Sequence, residues 1–297
     1  MKQSSLRISR VVAFLAFFGS VGVQATAVDT EAADGDLPLR GREHPGHGVT
    51  APDRGEGEKE AFMQADQRNW RVVFHDEGTG DWQEQWFLDG EVGTVTNDED
   101  GMTLTAGPEF RNDAHHMVLW TKDSFEGDVK IEFEYTRTDD ENRAVNILFI
   151  QATGSGEGPH AKDIRAWDHL RRVPAMSNYF NNMHVYHISF AAFTNDGLAT
   201  SSYLRARRYM PDGRRLRGTG LQPEYESATL FEPGVPHRIA VIKRDRDLHL
   251  RIENADETFL AHFRNTALPV ITEGRIGIRH MFTRSARYRN FTVSVPE

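Results

Sequence analysis

Across residues 129–136 the side chains alternate without a break, Val129, Ile131, Phe133 and Tyr135 against Lys130, Glu132, Glu134 and Thr136. A two-residue period of this kind fits a β-strand with one buried and one wetter face, and it excludes an amphipathic helix over the same stretch. Residues 145–152 are apolar apart from Asn146 and Gln151, as expected of a central strand covered on both sides. Further short segments at 71–75, 85–88, 92–96, 102–106, 117–120, 237–244, 248–254 and 258–263 are separated by Gly, Asp and Asn turns. Residues 185–192 and 202–209 frame Thr194-Asn195-Asp196-Gly197, a hairpin signal. The 154–183 stretch breaks this rhythm; 161–172 reads as about three turns of helix with Ile164, Trp167 and Leu170 on one side. It is too short for its own core and is expected to lie over one sheet face, while 211–236 reads as a polar connection. These patterns predict an all-β protein, a single two-sheet antiparallel β-sandwich with one short helical insertion.

The ends of the chain read differently. Lys2, Arg7 and Arg10 precede an apolar run over 11–23 and a small-residue site at 25–27, the pattern of a secretory signal peptide over residues 1–27. A secreted or periplasmic protein is expected. Residues 28–61 are polar and rich in Gly, Pro, Asp and Glu, as in a disordered leader, so the sandwich is assigned to 62–297. Removing the signal leaves 32 basic against 44 acidic side chains, a net charge of −12, which disfavours nucleic acid as a partner. No second apolar run is long enough to span a membrane, so no membrane partner is expected after signal removal. With no cysteine, disulfides, thiol catalysis and cysteine metal sites are excluded.

Two stretches oppose the acidic balance. Residues 275–289 hold five arginines, one histidine and no carboxylate, and residues 203–217 hold six arginines against Asp212 alone. Paired arginine-rich strands in an acidic protein predict a surface that binds anions. Parity selects its members. With Leu204, Ala206, Ile188 and Phe190 in the core, Tyr203, Arg205, Arg207, His187 and Ser189 share the other face, joined by Arg279 and by Gln151 or Asn146.

The motifs Ile150-Gln151-Ala152-Thr153-Gly154, Met183-His184-Val185-Tyr186-His187-Ile188-Ser189, Tyr203-Leu204-Arg205-Ala206-Arg207-Arg208-Tyr209 and Gly274-Arg275-Ile276-Gly277-Ile278-Arg279-His280-Met281 resemble those of the YesU-like family over about residues 70–295. Arg284, Arg287, Tyr288 and Phe291 extend the last of them. The resemblance implies a concanavalin A-like jelly roll with one concave sheet face, and an association with breakdown of acidic polysaccharides such as pectin or ulvan. The long leader lies outside the family pattern.

On such a substrate the residues suit a carbon–oxygen lyase, cleaving a uronide chain or eliminating water from a terminal uronic acid. Elimination beside a uronate needs the carboxylate neutralised, for which Arg205, Arg279 and Gln151 are candidates, with Arg207 and His280 as further substrate contacts. His187 is the candidate base, and Tyr203, or else Tyr209, the candidate acid. Each has an ordinary alternative, a histidine bonding a neighbouring strand or a tyrosine packing with a wet tip. Glu132 and Glu134 share a strand face and form the hydrolase alternative, against which stands the solvated outer face of a strand. A non-catalytic lectin would stack sugars on Trp82, Trp86, Trp120 or Trp167. No cofactor is called for. His44 and His47, or His115, His116, His184, His187 and His280, lack the usual metal-ligand spacing, and a structural calcium would fall to the loops of Asp76, Asp81 or Asp89.

Overall fold

The computed structural model describes residues 52–198, 202–227 and 230–297. The expected signal peptide and most of the expected leader lie outside the described residues. The end of that leader is helical: α1 (Pro52–Asp66) opens on a proline, whose fixed φ suits a first turn, and past Gly55 and Gly57 is rich in the helix formers Glu, Lys, Ala, Met and Gln. Phe62 and Ala65, three apart on one face, bury against Ala240, Ile242, Trp70 and Leu260. Residues 52–61 of the expected leader are thus helical in this structure. Two apolar anchors suffice to dock a helix on an existing sheet, and composition does not register so small a signal.

In chain order the strands are β1 (Trp70–Asp76), β2 (Trp86–Asp89), β3 (Thr94–Asp98), β4 (Gly101–Thr105), β5 (Met117–Thr121), β6 (Phe125–Glu126), β7 (Val129–Arg137) and β8 (Asn146–Gly154). They continue as β9 (Met183–Ala192), β10 (Ser202–Tyr209), β11 (Gly220–Ser227), β12 (Pro236–Arg244), β13 (Asp247–Glu253), β14 (Thr258–Arg264), β15 (Glu273–His280) and β16 (Ser285–Pro296). The front sheet runs β2-β5-β15-β8-β9-β10 and the back sheet β14-β13-β12-β7-β16-β4-β3, with β1 also on β16. β11 joins them, pairing with β10 along most of its length and meeting β14 at Gln222. All these pairs are antiparallel, as the sandwich reading requires. β11 lies inside the stretch read as a polar connection. Its inward side chains are only Leu221 and Tyr225, set among Pro223, Glu224 and Glu226, too few for the pattern to show.

In β7 the alternation holds along the whole strand, with Val129, Ile131, Phe133 and Tyr135 buried between the sheets. β8 is buried on both sides: Leu148 and Ile150 face the inter-sheet core, Ile147 and Phe149 a second apolar cluster on the concave front. That cluster exists because the insertion after β8 lies across the sheet. Within it a 3₁₀ helix (Ile164–Arg171), kinked at Trp167 and capped by Asp163 accepting from the Arg165 N–H at 3.0 Å, precedes α2 (Met176–Asn182). Ile164 and Trp167 point inward as expected, but Leu170 is 42% exposed and Arg171 takes the buried position. The kink breaks the helical period on which the Leu170 expectation rests.

The roof is fastened in two ways. Tyr179 stacks on Phe149 at 5.7 Å, and Phe149 on Trp120 at 5.4 Å, an aromatic pile reaching from β5 to α2. Beneath it Gly277 leaves room for the Trp120 ring, which would lie 2.4 Å from a β-carbon there. Under the pile the Asp89 carboxylate accepts from Arg171 Nε at 2.5 Å, Trp120 Nε1 at 2.8 Å and the Tyr179 hydroxyl at 3.1 Å. Burial lifts the Asp89 carboxyl above the usual range, against the pull of Arg171.

Candidate active site

Strand parity holds for β9 and β10. Ile188, Phe190, Leu204 and Ala206 enter the inter-sheet core, so His187, Ser189, Tyr203, Arg205 and Arg207 share the concave side. His187 pairs in register with Arg207, and Ser189 with Arg205. The His187 ring is 1% exposed and engaged at both nitrogens, with the Tyr209 hydroxyl at Nδ1 and Ser189 Oγ at Nε2, 2.6 Å. Burial, then the guanidiniums of Arg207, Arg205 and Arg279, holds this imidazole well below its ordinary value. It is therefore neutral, donating through one nitrogen and accepting through the other. A neutral ring between two hydroxyls can pass a proton between them.

The tyrosine beside His187 is Tyr209 and not Tyr203. Tyr203 pairs with Ala192, five residues along β9, which at about 3.3 Å per residue places it roughly 15 Å from His187. It carries Arg205 over its ring at 4.8 Å instead. Sequence reasoning put Tyr203 first and Tyr209 second, because the bulge between Tyr203 and Arg205 is invisible to parity. Arg205 bonds Glu224 of β11 through Nε at 2.9 Å and Nη2 at 3.1 Å, which offsets its charge.

Three other expected substrate contacts are structural. Gln151 sits in the bulge where the β8–β9 register shifts, at φ 55°, and its amide donates to the carbonyls of Phe125 and Gly127. His280 is one residue out of phase with Arg279, points between the sheets and meets the Tyr288 hydroxyl at 2.7 Å through Nε2. Asn146 likewise faces inward, donating to the Tyr135 hydroxyl. Arg279 does lie on the concave side, but under the roof: Nη2 donates to His116 Nδ1 at 2.6 Å and to the Pro174 carbonyl at 2.8 Å, and the guanidinium lies over Tyr179.

The arginine-rich surface is correspondingly smaller than the sequence suggests. In the last motif Arg275 pairs with Asp163, Arg287 with Asp100, and the buried Arg284 with Asp139 and the Ala144 and Ala191 carbonyls. In 203–217, Arg208 is buried against the Pro269 and Tyr209 carbonyls and Arg214 pairs with Asp212. Arg289 is exposed but sits on the back sheet opposite Glu134, so what stays available beside His187 is Arg207, half-buried with its Nε lacking a hydrogen-bond partner, and the exposed Arg215 and Arg217 of the turn after β10. That turn packs Leu216 onto the concave cluster, and Arg215 lies over Phe180 of α2 at 5.8 Å.

The alternatives fare as follows. Glu132 and Glu134 lie on the outer face of the back sheet, with Lys130 on Glu132 at 3.1 Å and Asn290 donating to Glu134, away from His187. Trp86, Trp120 and Trp167 are buried and offer no ring to a sugar, while Trp82 is half-buried where it packs on the core. Among the described residues no three His, Asp or Glu side chains cluster as metal ligands, and Asp76, Asp81 and Asp89 accept from Trp86, Gln83 and Arg171 respectively. No described helix is long and apolar enough to cross a membrane. A cleft of about 870 Å³ between α1 and the strands β11, β13 and β14 is rimmed by Glu58, Glu224, Glu226 and Glu253 around Lys59 and Arg251, a poor setting for an anion.

Burial also sets an acid limit. His280 is pushed down to about 3, chiefly by burial and then by Arg284. The unfolded ring takes up a proton near 6.5 and the folded ring only near 3, so the unfolded state binds more protons in between. Stability therefore falls as pH drops from about 6.5 towards 3. At pH 4 the His280 contribution is on the order of 3 kcal/mol. Urea midpoints at pH 7 and pH 4 should show a smaller acid loss in His280→Gln, which keeps a donor and an acceptor but does not titrate; an equal loss would assign the effect elsewhere.

A family model described as "Domain of unknown function (DUF1961)" matches residues 77–293. No curated protein matches the chain. Among solved structures it is similar to a protein of unknown function with a galectin-like fold from Bacillus subtilis, at 17% identity and TM-score 0.57, covering 77% of this chain and all of that one. It is also similar to the basic winged bean lectin with Tn-antigen, at 9% identity and TM-score 0.50, covering 75% of this chain and 98% of the lectin. At these identities the likeness is one of fold, a galectin-like and lectin-like jelly roll. Residues 77–293 make up most of the chain, which thus belongs to the DUF1961 family.

Proposed function

We propose that this protein is an exported carbohydrate-active protein that takes an acidic saccharide on the open part of its concave face and acts on a uronate by elimination. The observation that carries the reading is the register of β9 and β10, which sets half-buried Arg207 directly across from a neutral His187 hydrogen-bonded at both ends. Arg207 is the group to neutralise the carboxylate, because Arg205 is paired with Glu224 and Arg279 lies beneath the roof. Removal of the C5 proton sends the C5–H electron pair into a new C4–C5 double bond as the C4–O bond breaks, and the departing oxygen takes up a proton. Tyr209, as its phenolate, is the group to take the C5 proton and return it to the departing oxygen, with His187 hydrogen-bonded to the phenol oxygen and Ser189 holding the other ring nitrogen. The likeness to lectin folds and to YesU-like sequences supports a saccharide ligand.

A second reading, binding without chemistry, is favoured by the near-complete burial of His187 and Tyr209. One experiment separates them: ultraviolet absorbance of the conjugated double bond, followed as the protein meets uronic-acid polysaccharides and oligosaccharides, with His187→Ala alongside. Elimination predicts a rising signal that His187→Ala lowers by about 10²–10⁴-fold. Binding with no signal from any substrate would establish the second reading, and new reducing ends without the double bond would indicate hydrolysis.

A further inference from the structure

Jelly-roll proteins that bind the interior of a polysaccharide need an open trough across the strands of the concave sheet. Here that trough is filled. At the centre of the sheet the concave positions Val118, Trp120, Arg279, Ile147, Phe149 and His187 are at most 1% exposed beneath the insertion. Partly exposed positions on this face lie at its margins: Phe87 on β2 and Arg275 at the start of β15, the latter taken up by Asp163, and, on the other side, Tyr203, Arg205 and Arg207 on β10 with β11 beyond. The strip along β10 is also stopped at its Arg207 end. The turn after β10 folds back there, with Arg208 N–H donating to the Thr219 carbonyl, Leu216 seated on the concave cluster and Arg215 over Phe180 of the roof. Arg207 therefore stands in a corner, closed on one side by α2 and on another by the basic turn, and approached from the β11 and Tyr203 side.

We propose that this corner takes the terminal residue of an acidic saccharide, so that the protein engages chain ends and not chain interiors. The inference rests on the acidic-saccharide reading given above and adds which part of the chain is held. A uronate at the end of a chain places its carboxylate among Arg207, Arg215 and Arg217, while the rest of the chain leaves past Tyr203 and Arg205, where Glu224 offsets the arginine and no second carboxylate is held. A chain running through would have to cross the packed rings of Trp120, Phe149 and Tyr179.

The test is stoichiometry on the full protein. Polygalacturonate fractions of defined length, from a few residues to long polymer, are titrated and the number of proteins per saccharide chain is measured by sedimentation. A chain-end site saturates at one protein per chain at every length, and affinity expressed per chain is independent of length. A number of bound proteins that grows with chain length overturns the chain-end proposal while leaving the acidic-saccharide reading intact. No binding at any length, with the same result on fractions of a sulfated rhamnose–uronate polymer, overturns both.

Discussion

Arg171→Ala is expected to destabilise the protein by about 3–5 kcal/mol, the usual cost of removing one partner from a fully buried ion pair. Arg171 and Asp89 are both inaccessible, and the guanidinium also lies over Trp167 at 4.2 Å and donates to its carbonyl. Its loss leaves the Asp89 carboxylate with two neutral donors, Trp120 and Tyr179, in a site whose burial already disfavours charge. Adding Asp89→Asn should recover part of the loss, because the orphaned charge disappears with it. Urea denaturation of the two single variants and the double variant completes the cycle. A loss under about 1 kcal/mol for Arg171→Ala would mean that the roof is held by its aromatic pile and that the buried pair adds little.

Arg207→Ala is expected to behave in the opposite way, leaving the urea midpoint unchanged while weakening uronate-oligosaccharide binding by about 10- to 100-fold, as for loss of a hydrogen bond to a charged group. The residue is half-buried and contributes no ion pair, so little in the fold depends on it. Arg207→Lys should recover some affinity through charge but not the bidentate geometry. Raised salt should weaken the native protein more than Arg207→Ala. Calorimetric titration reads all three. Unchanged affinity in Arg207→Ala would move the ligand away from β10, and a comparable loss in stability would make Arg207 a structural residue.

These two arginines also show what the sequence discloses. Parity along β9 and β10 places His187, Arg205 and Arg207 on one face, because the core requirements of Ile188, Phe190, Leu204 and Ala206 leave no other choice. Regular alternation is legible since each residue reports on its neighbours two away. Bulges are not: one shifts Gln151 into a loop-bracing role, and another separates Tyr203 from the histidine it was expected to serve. Nor does composition reveal which arginines are consumed by internal partners. Asp89, Asp139, Asp163 and Glu224 lie 19 to 145 residues from Arg171, Arg284, Arg275 and Arg205, a range in which only the fold makes neighbours of them. Arg171 was legible only as part of a helix, and its buried role depends on the kink at Trp167.

The back sheet has a consequence for how the protein is made. Its interior strand β16 pairs with β7 on one side and with β4 and β1 on the other, so strands laid down more than a hundred residues earlier lack their partner until residues 285–296 have been synthesised. Contacts this distant in sequence form late and slowly. The back sheet therefore stays incomplete through almost all of the chain's synthesis, the interval in which its apolar strands are most exposed to wrong partners.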